Sequence, residues 1–61
     1  MKYSELKRLL KHNGCYKIDE GSSHERWYSP ITDNKFVVGR HDNQDVRKGT
    51  YNAILKQAGI K

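Results

Sequence analysis

The chain has 61 residues, enough for one domain spanning 1–61 and too few for a second. Its 12 Lys+Arg against 7 Asp+Glu leave a formal net charge of +5 on a small body, which points to a polyanionic partner, nucleic acid first, or in the plainer reading to solubility alone. No apolar stretch approaches the roughly 20 residues of a membrane span, no apolar run suits a signal peptide, and the single thiol of Cys15 excludes an internal disulfide, so the expectation is a cytoplasmic protein.

The first element is a helix. Ser4 suits its N-cap, Glu5 follows where a negative charge favours the helix dipole, and Leu6, Leu9 and Leu10 form one apolar stripe. Lys7, Arg8 and Lys11 fall off that stripe, and Asn13-Gly14 supplies the stop. Residues 15–20 alternate, with Tyr16 and Ile18 on one side and Cys15, Lys17 and Asp19 on the other, as in a strand. Glu20-Gly21-Ser22-Ser23 interrupts it.

A second strand is expected from His24 to Ser29. Trp27 should face the core with Glu25 and Ser29, which turns His24, Arg26 and Tyr28 outward together unless a bulge reverses the parity. Pro30 to Asn34 reads as a turn and Lys35 to Val38 as a third strand that Gly39 ends. After the polar loop 40–45, a last helix opens near Lys48-Gly49-Thr50, with Tyr51, Ile54, Leu55 and Ala58 on one face and Gly59 as its stop. Short connections make the strands an antiparallel meander. The fold class is therefore α+β, in the order α-β-β-β-α, with both helices on one face of a three-stranded sheet and the other face open.

Metal chemistry has no support in the spacings. Cys15, His24 and His41 stand apart without a close ligand pair, and Asp19-Glu20 and Asp42/Asp45 lie in separate loops. Ser22 and Ser23 adjoin His24, but neighbours on an extended chain point apart and no nucleophile elbow is present.

General acid–base chemistry fits better. RNA carries its own nucleophile, the 2′-OH, so a ribonuclease needs a proton carrier and cations rather than a metal. Histidine exchanges protons near neutrality, and Arg or Lys beside it would steady the phosphate charge. His24 with Arg26 supplies one of each, although an isolated histidine at a strand start can also be a surface residue without a role. His41, next to Arg40, is either a second proton carrier, a phosphate contact or a solvated loop residue. His12, near a helix C-terminus, reads as structural or neutral. Arg47-Lys48-Gly49-Thr50 puts two cations where the helix dipole is already positive, an arrangement that favours an incoming phosphate.

These residues resemble the HicA toxin family, small mRNA interferases of type II toxin–antitoxin systems. The likeness runs through the helix ending in Asn13-Gly14, Gly21-Ser22-Ser23-His24-Glu25-Arg26-Trp27-Tyr28-Ser29-Pro30, Val37-Val38-Gly39-Arg40-His41, Lys48-Gly49-Thr50 and Ile54-Leu55-Lys56-Gln57-Ala58-Gly59-Ile60. The resemblance implies a fold like the double-stranded-RNA-binding domain. It maps the catalytic histidine of a Gly-Ser-His motif onto His24, and it implies metal-independent cleavage of mRNA without a cofactor. It also implies a HicB-type antitoxin that covers the site, with room for a higher-order toxin–antitoxin complex. Ser22 replaces the usual motif glycine, Gly39 a usual proline, and Arg26 a residue that is often apolar; Arg26 is then a phosphate or an antitoxin contact.

The expected function is thus an endoribonuclease toxin. His24 is catalytic, and Arg26, Arg40, His41, Arg47 and Lys48 contact RNA. The rival is a noncatalytic RNA-binding module of the same fold. A helix-turn-helix DNA binder is disfavoured because the whole sheet separates the two helices.

Overall fold

A computed structural model describes residues 1–60. The elements follow the expected order: α1 (Tyr3–His12), β1 (Tyr16–Glu20), β2 (His24–Ser29), β3 (Asn34–Gly39) and α2 (Lys48–Ala58). The strands pair antiparallel in the order β1-β2-β3, a meander. Leu6 and Leu10 of α1 and Ile54 and Ala58 of α2 join Trp27, Phe36 and Val38 of the sheet in one core, together with Cys15 and Val46. Both helices therefore cover the same sheet face. Among the described residues no helix is long and apolar enough to cross a membrane.

The boundaries differ from expectation in three places. First, α1 begins at Tyr3, with Lys2 rather than Ser4 in the capping position. The polar loop supplies the partners a cap would otherwise provide: Tyr3 N–H donates to the Gln44 carbonyl (3.0 Å) and Ser4 N–H to that of Asp42 (3.1 Å). Glu5 Oε1 accepts from Lys2 N–H at 3.2 Å. With the first free N–H groups satisfied from a distant loop, no serine cap is needed.

Second, β1 starts at Tyr16, because Cys15 N–H is still bonded to the Leu10 carbonyl (2.9 Å) in the turn that ends α1. That turn needs the positive φ of 91° at Gly14. Third, β3 is longer at both ends: Asn34, expected in the turn, pairs with Ser29, and Gly39, expected to end the strand, pairs with His24.

The sheet contains a bulge, but it lies in β1. Register shifts between Lys17 and Asp19, leaving Ile18 without a partner on β2. β2 alternates undisturbed: Glu25, Trp27 and Ser29 are buried, His24 and Arg26 exposed, and Tyr28 half-buried. The turn after β2 closes the far end of the fold. Ser29 Oγ donates to the Ala58 carbonyl (2.6 Å) and Thr32 Oγ1 to that of Gln57 (2.8 Å), which satisfies the last carbonyls of α2.

Gly39 is required for space rather than for backbone freedom. A Cβ there would lie 2.8 Å from Tyr3 Cζ and 3.0 Å from Cε1. Gly39→Ala is expected to destabilise the fold by about 1 kcal/mol, the low end for overpacking because the half-buried Tyr3 ring can swing aside. A double-mutant cycle in urea checks this. Adding Tyr3→Ala to Gly39→Ala should cost less than the two single losses combined, and simple additivity would show that the ring is not the obstacle.

Candidate active site

His24 stands exposed at the first position of β2, on the sheet face that no helix covers. The bend before it is tightly made. Gly21 N–H donates to the His24 carbonyl at 2.7 Å. From the neighbouring strand end, Arg40 N–H donates to the Ser23 carbonyl (3.2 Å), and Arg40 Nη1 reaches the carbonyls of Ser22 (3.2 Å) and Gly21 (3.4 Å). Arg40 Nε also lies 3.4 Å from Glu20 Oε2. One arginine thus clasps the whole segment that presents the histidine.

Ser23 Oγ sits 3.2 Å from His24 Nδ1. This corrects the expectation that the neighbouring serines point away: Ser23 lies in a bend, where adjacent side chains can converge. The contact orients the ring and leaves Nε2 without a hydrogen-bond partner among the described residues. Such an edge can exchange a proton with a bound substrate.

Two residues along β2, Arg26 is engaged in a fork with the carboxylate of Asp19 on β1, with Nε 2.9 Å from Oδ1 and Nη2 closing on Oδ2. The hydrogen bond from Arg26 holds the Asp19 carboxyl below its ordinary range and raises the guanidinium in turn. Both side chains are about half exposed. A pair of that kind contributes little in water and yields readily to a competing anion.

Beneath the site lies a buried ionic cluster. Lys7 Nζ is 3.1 Å from Glu25 Oε2, with only 10% and 9% of the two side chains exposed. It also bonds the Asp42 carboxylate and the Arg40 carbonyl (3.3 Å). Glu25 Oε1 accepts from Trp27 Nε1 at 3.0 Å. Burial opposes the charge on Lys7, but the hydrogen bonds to Asp42 and Glu25 outweigh it and raise the ammonium above its usual range. α1, β2 and the loop carrying Arg40 and His41 therefore meet at one ammonium group.

A model of the family described as "HicA toxin of bacterial toxin-antitoxin" matches residues 3–60. The chain belongs to the HicA toxin family. Searches of curated proteins and of solved structures give no match. Membership makes the chain a toxin of the toxin–antitoxin type and points to an antitoxin as its counterpart.

Within this HicA-family fold the expected site residues divide. His24 and Arg40 come together, and Arg26 shares the outward face of β2 with His24. His41 is exposed in the loop after β3, where its carbonyl accepts from Gln44 N–H (3.1 Å), and no described contact joins it to His24. Arg47 and Lys48 occupy the N-terminal end of α2, which has no side-chain cap and no acidic residue in its first turn. Neither cation has a carboxylate partner among the described residues. No group of three or more His, Cys, Asp or Glu suited to a metal occurs among them either.

Lys7 is the residue that sequence reasoning misplaced. It falls off the apolar stripe of α1, yet it is only 8% exposed. The signal was Glu25: a carboxylate sharing Trp27's face of a strand must enter the core and needs a cation there.

Proposed function

We propose that this HicA-family toxin is an mRNA interferase: a cytoplasmic endoribonuclease in which His24 moves the proton and a HicB-type antitoxin shuts the site by covering it. The observation that carries the reading is the exposed His24 imidazole, oriented through Nδ1 by Ser23 and held in place by Arg40, at the end of an uncovered sheet face. A 2′-OH presented to Nε2 can lose its proton as it attacks the adjacent phosphorus. The 5′ oxygen then leaves with a proton returned by the imidazolium, giving a 2′,3′-cyclic phosphate and a 5′-OH end and restoring the neutral ring.

Cations steady the phosphorane. Arg26 can exchange Asp19 for a phosphate oxygen, Arg40 holds the segment that presents His24, His41 is a further phosphate contact at the neighbouring strand end, and Arg47 and Lys48 draw the backbone to the α2 terminus. RNA supplies the nucleophile, so the step calls for no metal and no cofactor.

The test is incubation of RNA with the protein and with His24→Ala in EDTA. Cleavage by the wild type alone, leaving 5′-OH ends, supports the reading. Equal cleavage by both, or cleavage that needs a divalent ion, would sink it. Salt-sensitive binding without turnover would instead assign a noncatalytic RNA-binding module.

A further inference from the structure

The open sheet face carries more than the proton-transfer site. Tyr16 and Tyr28 are cross-strand partners with ring centroids 5.4 Å apart and planes tilted by 48°. Tyr16 is 54% exposed, and Val37, opposite Arg26 on β3, is 51% exposed. Neither helix covers these groups, so they are apolar surface that the core does not use.

We propose that the Tyr16–Tyr28 pair is a base-stacking subsite for single-stranded RNA, a few nucleotides from the bond cut at His24; this rests on the ribonuclease reading. The first argument is placement. Tyr28 lies on the same face of the same strand as His24, about 13 Å away at some 3.3 Å per residue, with Arg26 between them. A strand running along β2 would meet the imidazole, then a guanidinium, then two aromatic rings.

The second argument is preorganisation. The Tyr28 hydroxyl donates to the Asp33 carboxylate, which fixes the ring at its far edge before any ligand arrives. Aromatic side chains stack unpaired bases with little sequence preference, whereas a duplex keeps its bases inside.

The third argument is charge. Arg26 and Lys35 flank the pair, Lys35 directly opposite Tyr28, on a chain of net charge +5. Asp33 and Asp19 are the anions nearby. The Asp33 carboxylate repels a phosphate from the outer edge of Tyr28, so the rings receive bases while the backbone stays on the Arg26 and Lys35 side. This favours RNA over a second copy of the chain, which would bring an equal positive charge to the same face.

The experiment measures the affinity of a short 2′-O-methyl oligonucleotide, which cannot be cleaved, as a single strand and as a duplex. It compares the wild type with Tyr16→Leu, Tyr28→Leu and the two phenylalanine variants, each checked by its thermal melt. Each leucine variant is expected to bind the single strand about tenfold more weakly, Tyr16→Phe within about twofold of the wild type, Tyr28→Phe between the two because its ring loses the Asp33 anchor, and duplex affinity is expected to stay unchanged. Tyr16 is exposed and lies outside the core cluster, so Tyr16→Leu keeps the test valid if Tyr28→Leu melts early.

Leucine variants that bind the single strand as the wild type does overturn the subsite, whatever the cleavage assay shows. Leucine variants that lose only antitoxin binding or self-association also overturn it and give the face to a protein partner. Tyrosine-dependent binding by a protein that cleaves no RNA keeps the subsite and removes the ribonuclease.

Discussion

Lys7→Ala will remove most of the domain's stability, although the substitution lies on a helix and favours helical backbone. The reason is the carboxylate it abandons. Glu25 has 9% of its side chain exposed, and its remaining partner is the Trp27 N–H. Removing one member of a buried pair typically costs about 3–5 kcal/mol, because the other charge stays in the core unpaired. A domain of 61 residues has a total stability of roughly 3–9 kcal/mol at 0.05–0.15 kcal/mol per residue, so the loss takes most of it. Lys7→Met combined with Glu25→Gln should recover the greater part: glutamine keeps an acceptor for Trp27, and no charge remains buried. Urea midpoints of the three proteins decide the matter, and a Lys7→Ala variant as stable as wild type would show that Glu25 reaches water.

The same cluster sets a pH dependence. The hydrogen bond from Lys7 holds Asp42 below its ordinary carboxyl range, and that from Arg26 does the same for Asp19. For a depressed carboxyl the stabilisation is complete above its unfolded pKa, about 4, and is lost as pH falls through the lower folded value. Lys7 is shifted upward. Its contribution is complete below the ordinary lysine value, about 10.4, and disappears as pH rises beyond it through the raised one. Stability should therefore be flat between these limits and fall on both sides. Lys7→Met with Glu25→Gln should remove the alkaline fall and weaken the acid one, as read from urea midpoints across the pH range.

Much of this molecule is legible in its residues, and most of the misses share one cause. Trp27 sets the parity of β2, and that parity alone places His24, Arg26 and Tyr28 on the open face. The stripes of both helices and the stops at Gly14 and Gly59 are local signals, and both glycines take the positive φ such stops need. What escapes local reading is every feature decided by a distant partner. The start of α1 depends on carbonyls of Asp42 and Gln44. The burial of Lys7 depends on Glu25 across the core. Arg40 reads as a free cation and is instead a clasp on the 21–23 segment. The β1 bulge at Ile18 leaves no mark in an alternating sequence.

His24→Ala should lower the single-turnover cleavage rate by about 10²–10⁴-fold, the usual worth of a positioned general acid or base, while the fold and RNA affinity persist. The side chain is exposed and its one described contact is the Ser23 hydroxyl, so its removal leaves no cavity and no buried partner. Arg40→Ala separates positioning from chemistry. That variant keeps the imidazole but releases the carbonyls of Gly21 and Ser22, and it should reduce the rate by about tenfold with a small change in affinity, since a misplaced proton carrier loses transition-state contact rather than substrate. Arg40→Lys cannot restore the two-carbonyl reach of a guanidinium and should recover little. Rates and oligonucleotide affinities measured side by side distinguish the cases. If His24→Ala lost affinity in proportion to rate, the imidazole would be a phosphate contact, and the proton would have to travel through another group at the same strand end, His41 first among them.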